Sequence, residues 1–200
     1  MRIGEIVETT SVSFVAESLE LNRPPPLGSL VTVQLSSKPD TLAFAVVTHG
    51  QTVGLDPSRR ALRRSTDAVF DDAVYKHNPE LELVLRTEFS ASLVGLSVDG
   101  AIRQHLPPQP PPLHYSVHGA SLHQMNLFTT GLAYFRLLLL CIGPVPSQQI
   151  LAAHVREVYA QKGNDLAWLN AAGREIAILL RDDHEALMTT LYAIDPGVPV

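Results

Sequence analysis

The residues best equipped for chemistry in this 200-residue chain are four arginines, Arg59, Arg60, Arg63 and Arg64, in the run RRALRR. A guanidinium stays charged and presents a planar fork of donors, so it grips carboxylate or phosphate in bidentate pairs. Spacings of one, three and one set the four on one side of a short helix. They are the candidate interface or anion-binding residues. Asp56, Asp67, Asp71 and Asp72 flank them in sequence. Pairing with these carboxylates, or docking onto a protein, is therefore expected ahead of nucleic-acid binding.

The other reactive residue types form weaker patterns. His105, His114, His118 and His123 fall within nineteen residues. A zinc site needs three or four convergent ligands. The proline-rich approach to His114 argues against a helix that would align it with His118. No metal site and no cofactor is expected. Cys141 lies in LLLLCIG, where a buried, inert thiol is the expected state. Glu80 and Glu82 alternate with Leu81 and Leu83, as on one solvated face. Gly-x-Ser-x-Gly and Gly-x-Gly-x-x-Gly are absent, and none of the three lysines, Lys38, Lys76 and Lys162, stands in a phosphate loop. No catalytic residue is assigned, and the chain is read as a non-enzyme.

Composition bounds the class. With 46% hydrophobic and 18% charged residues, the chain can bury a core and is not a solvating polymer. One cysteine excludes an intramolecular disulfide framework. A net charge of −5 supplies no global field for nucleic acid. Glu5 and Glu8 interrupt the start before an apolar signal segment forms. Residues 127–146 have roughly the ~20-residue length of a membrane span. Arg136 at their centre costs about 2.5–3.5 kcal/mol on insertion scales. A buried helix is expected there, with no membrane association and a cytoplasmic location.

The elements that must position these residues divide into two halves. The first is written in period two. Val12, Phe14 and Ala16 share one face, and Val31, Val33 and Leu35 another. In TLAFAVV, Leu42, Phe44 and Val46 alternate with Ala43, Ala45 and Val47. Both faces are apolar, so both need cover, from another chain or from this one. Strand character resumes over 82–98 and ends at the turn signal Asp99-Gly100. Between them, about 56–80, a partly helical excursion leaves the sheet. LPPQPPPL, 106–113, holds five prolines, which cannot donate to a ladder.

The second half is helical. One helix is expected over 122–142, with Phe128, Leu132, Phe135, Leu139 and Ile142 on one face. A second follows Ser147 and stops at Gly163. Asp165 caps a third, and Asp182 or Asp183 a fourth. The expected fold is therefore α+β. A small β-barrel of about six strands spans 1–113, and an all-α helical bundle spans 114–200.

The opening Ile3-Gly4-Glu5-Ile6, the strand Ser11 to Glu20 and the turn Pro25-Pro26-Leu27-Gly28-Ser29-Leu30-Val31 resemble the HAS-barrel family. This is the small barrel at the N-terminus of HerA-type DNA translocases and of ATP synthase catalytic subunits. LPPQPPPLHYSV is similar to the closing element of HerA-like barrels, with Leu113-His114 where the family carries Pro-Gly. The resemblance covers about 1–118, apart from the excursion. The whole chain also looks like stand-alone cyanobacterial-type HAS-barrel proteins that lack the ATPase core. The resemblance implies the docking part of such a machine without its motor. The function expected is a non-catalytic interaction or assembly module, accessory to a HerA-like or other ATPase or DNA-processing complex. Its partner would be a second copy or another protein, such as an ATPase or nuclease subunit. Two alternatives stay open: nucleic-acid binding through the barrel and Arg59–Arg64, and an unrecognised hydrolase.

Overall fold

A computed structural model describes residues 1–36, 41–56 and 61–197. Seven strands are present: β1 (Arg2–Thr9), β2 (Ser13–Ser18), β3 (Leu30–Gln34), β4 (Thr41–Gly54), β5 (Leu85–Val98), β6 (Ala101–Arg103) and β7 (Ser116–Gly119). Six of them close a barrel in the order β1-β2-β5-β4-β3-β7, every pair antiparallel. Closure leaves these strands paired on both sides over the barrel. The seventh, β6, folds back on the far end of β5. Asp99 and Gly100 form that turn with φ of 50° and 80°. Two successive positive φ values match the twist of a tight hairpin, which is why Asp-Gly stands there.

Side-chain alternation then sorts the core. Ile6, Phe14, Ala16, Val31, Val33, Ala43, Ala45, Val47, Phe89, Ala91, Leu93 and Val117 fill the barrel. Small Ala residues on β4 and β5 leave room for Phe14 and Phe89. Phe44 and Val46 of β4, Leu30 of β3 and Val94 of β5 point outwards and are equally buried. The chain's own helices cover them. The two apolar faces of TLAFAVV are thus both covered within one molecule.

Those helices are α3 (Leu122–Phe128), α4 (Phe135–Leu139), α5 (Ser147–Gln161), α6 (Leu166–Leu179) and α7 (His184–Ile194). They share one core with the outer face of the barrel. Phe128 stacks on Phe44 with ring centroids 4.4 Å apart. Asp165 caps α6 by accepting from the Ala167 and Trp168 amides, and Asp183 caps α7 by accepting from Ala186. After α5, Gly163 and Asn164 take positive φ, and the Asn164 amide returns to the Tyr159 carbonyl at 2.9 Å. This is the left-handed stop that a glycine after a helix signals.

Three expectations change. The single helix over 122–142 is two short ones, separated by residues 129–134. Thr129 and Thr130 turn their hydroxyls back onto the Met125 and Asn126 carbonyls. The carbonyls released beyond them are used elsewhere: Thr129 accepts from the Trp168 indole, and Phe128 and Gly131 accept from the Gln104 amide. Ile142, placed on the buried face by periodicity, is fully exposed. The barrel also continues past the junction expected at 113, because β7 pairs with both β1 and β3. The proline run ahead of it donates nothing to the ladder, which hides the strand that follows.

The excursion leaves the barrel after β4 and returns at β5. It carries two short helices, α1 (Asp72–His77) and α2 (Leu81–Val84). Residues 61–66 form no helix, against the reading of RRALRR as a helical turn. Among the excursion's described residues only Leu81 is buried. Without core contacts to reward it, a segment this short gains too little to hold a regular helix.

Candidate functional site

Arg63 and Arg64 are exposed. Arg63 donates from Nε to the Ser65 carbonyl at 3.4 Å, and Arg64 reaches Glu80 at 3.5 Å. Neither pairs with Asp67, Asp71 or Asp72. Arg59 and Arg60 lie outside the described residues.

Beside Arg64 is an apolar groove of about 360 Å³. Leu55, Ala61, Leu62, Leu81, Val84 and Leu85 line it, with Arg64 and Asp56 among its polar neighbours. The end of β4 and the start of β5 form one wall, held in register by the Gly54–Leu85 pairing and by the Leu55 amide donating to Val84. Exposed apolar side chains continue along the excursion: Leu62 at 81%, Leu83 at 76%, Phe70 at 59%. Leu55, Tyr75 and Val84 are exposed as well.

On the other side of the excursion an open cleft of about 810 Å³ separates α1 from the loop after β2. Its polar lining mixes signs: Glu17, Glu20, Asp72 and Glu82 against Arg23, Lys76 and Arg86. Arg23 is held by Glu20 at 3.0 Å, and Arg86 Nε lies 2.9 Å from Glu88. At the cleft floor the Thr87 hydroxyl accepts from the Asn22 amide at 2.7 Å and lies 2.8 Å from the Thr52 hydroxyl. Such a cleft can hold a polar group, but its cations are partly neutralised by their own neighbours.

The four histidines singled out by spacing do not converge. His105 contacts the Leu106 carbonyl, and His114 lies 3.0 Å from Glu5 at a φ of 64°. His118 lines a groove between β7 and β3 with Thr32, Gln34, Tyr115 and Gln124. Burial, and then the N-terminal amine and Arg2, lower its pKa. Among the described residues no three His, Cys, Asp or Glu side chains gather to hold a metal. Cys141 is partly buried rather than fully buried, and desolvation raises its thiol pKa. No described helix is long and apolar enough to cross a membrane.

The histidine with the most specific environment is one that spacing does not reveal. His154 is fully buried on α5. Its Nδ1 lies 2.7 Å from the Gly28 carbonyl, which only accepts, so Nδ1 carries the proton. Nε2 then accepts from the Tyr134 hydroxyl at 2.8 Å. Burial lowers the His154 pKa to about 4 and raises that of Tyr134 well above the phenol range. Both ring nitrogens are satisfied and both side chains are fully buried, so this pair braces the interior. A lone His in an apolar helical stripe is the only sequence signal it leaves.

No protein-family model matches the chain, and no curated protein matches it.

Proposed function

We propose that this protein is a non-catalytic interaction and assembly module that docks through the excursion between β4 and β5. One observation carries the reading: six large apolar side chains, Leu55, Leu62, Phe70, Tyr75, Leu83 and Val84, are exposed along this one excursion, which buries only Leu81 among its described residues. Exposed apolar surface of this kind, rimmed by charge, is what protein docking uses. In this reading the barrel is a rigid frame, and the helices of 147–194 act as a small bundle that buttresses its outer face. The resemblance to HAS barrels makes an ATPase or DNA-processing complex the assembly served. Two details support that resemblance. Gly28 in the Pro-Pro-Leu-Gly turn holds a φ of 86°. His114, standing where the family carries Pro-Gly, holds a φ of 64°, a region glycine favours.

The test is affinity capture from the native host with mass spectrometry, using the wild-type chain and a Leu62→Glu/Phe70→Ser chain as paired baits. Recovery of a stoichiometric protein, itself included, by the first and not the second is the expected result. A monomer that recovers no protein overturns the reading. Salt-dependent DNA binding that is lost with the arginines would replace it with nucleic-acid recognition.

A further inference from the structure

We infer that the partner at the excursion is a second copy of this chain, docked about a two-fold axis so that the basic run of one molecule meets the acidic run of the other. This rests on the interaction reading above and names its occupant.

The argument is charge complementarity of the segment with itself. Along the excursion Arg63 and Arg64 precede Asp67, Asp71 and Asp72, and the sequence adds Arg59 and Arg60 to the basic run. All of the described members are exposed. Among the described residues Asp67, Asp71, Asp72 and Arg63 make no ion pair, and Arg64 makes only the exposed 3.5 Å contact with Glu80. Opposite charges three to nine residues apart thus leave each other unpaired within the molecule. An isologous interface presents the same surface twice, so residue i meets j and j meets i. A surface bearing both signs in separate runs is self-complementary under that operation. Leu62 lies in the basic run and Phe70 in the acidic one, so each ionic zone carries an exposed apolar side chain. Arginine and aromatic residues around an apolar centre are the composition that protein interfaces favour. An acidic peptide would use only the arginines, and nucleic acid would be repelled by the three aspartates. A second copy uses both signs.

The experiment is sedimentation velocity and light scattering on the full chain at micromolar concentration. The wild-type chain should run at about twice 21.8 kDa. Arg63→Glu/Arg64→Glu places like charges across the axis and should give a monomer. Asp71→Arg/Asp72→Arg should do the same. An equimolar mixture of the two variants should restore a species of dimer mass, because each reversed run then faces its opposite. Circular dichroism checks that each variant keeps the wild-type spectrum and, at high dilution, the wild-type melting temperature, as expected for positions outside the core. Leu62→Ser leaves every charge in place and should also weaken the dimer by removing the apolar contact. A wild-type monomer overturns the inference. So does a dimer that survives both charge reversals, or a mixture that stays monomeric. A wild-type monomer that still captures a native partner through Leu62 and Phe70 would sink self-association and leave the module reading standing.

Discussion

His154 on α5 donates a 2.7 Å hydrogen bond to the carbonyl of Gly28, 126 residues earlier in the chain. That bond ties the helices to the loop between β2 and β3. The loop is itself fixed to the barrel, since the Gly28 amide donates to Val47 and the Val47 amide donates to Ser29. Phe135 and Tyr134 meet the imidazole edge-on, so the polar contact sits in a buried aromatic setting. A hydrogen bond there is worth more to keep than to form, because a lost partner leaves a buried group unsatisfied.

The first prediction concerns pH. The His154 pKa is about 4 in the folded chain, against about 6.5 for free imidazole. Between those values the unfolded state binds a proton that the folded state does not. Stability is therefore full above pH 6.5 and falls as pH drops towards 4, by roughly 3 kcal/mol from this group. Denaturant melts from pH 7.5 to 4.5 should show the decline, and His154→Gln should flatten it while lowering stability throughout. An unchanged slope in the variant would refute the buried neutral imidazole.

Tyr134→Phe should cost about 1–3 kcal/mol although only an oxygen is lost. The Phe ring keeps the contacts with Phe128 and Phe135, but His154 Nε2 loses its donor in a fully buried site. Chemical denaturation measures this directly. A neutral substitution would mean that the imidazole finds another partner.

Gly28→Ala should be more harmful than its size suggests. A Cβ there would stand 2.4 Å from the His154 backbone nitrogen, and the φ of 86° disfavours any side chain. A loss of about 2 kcal/mol or more is expected. Gly100→Ala, with a similar φ and open space around it, should cost less. Equal losses at the two positions would show that strain, not packing against α5, sets the effect.

Arg63→Ala/Arg64→Ala should leave the isolated fold within about 1 kcal/mol of wild type, since the one ion pair involved is exposed. Any concentration-dependent part of the melting temperature should disappear at the same time. A melting temperature lower by ten degrees at every concentration would make these arginines part of the fold.

Local chemistry was legible in the sequence. Alternation marked the strands, Asp99-Gly100 their hairpin, and Asp165, Asp183 and Gly163 the helix ends, because each signal acts within a few residues. The four arginines were legible as a charged segment, but not their lack of helix, since that depended on the absence of a core beneath them. The break at Thr129 was set by distant groups: carbonyls freed there found donors on Gln104 and Trp168. The same holds for closure of β2 onto β5 and for β7 between β1 and β3, whose pairing brings together residues far apart in the chain. His154 is the clearest case. Sequence alone made it one of eight imidazoles. Only the packing of α5 on the β2–β3 loop buried it, chose its tautomer and lowered its pKa, because desolvation and partner geometry exist only once the chain has folded.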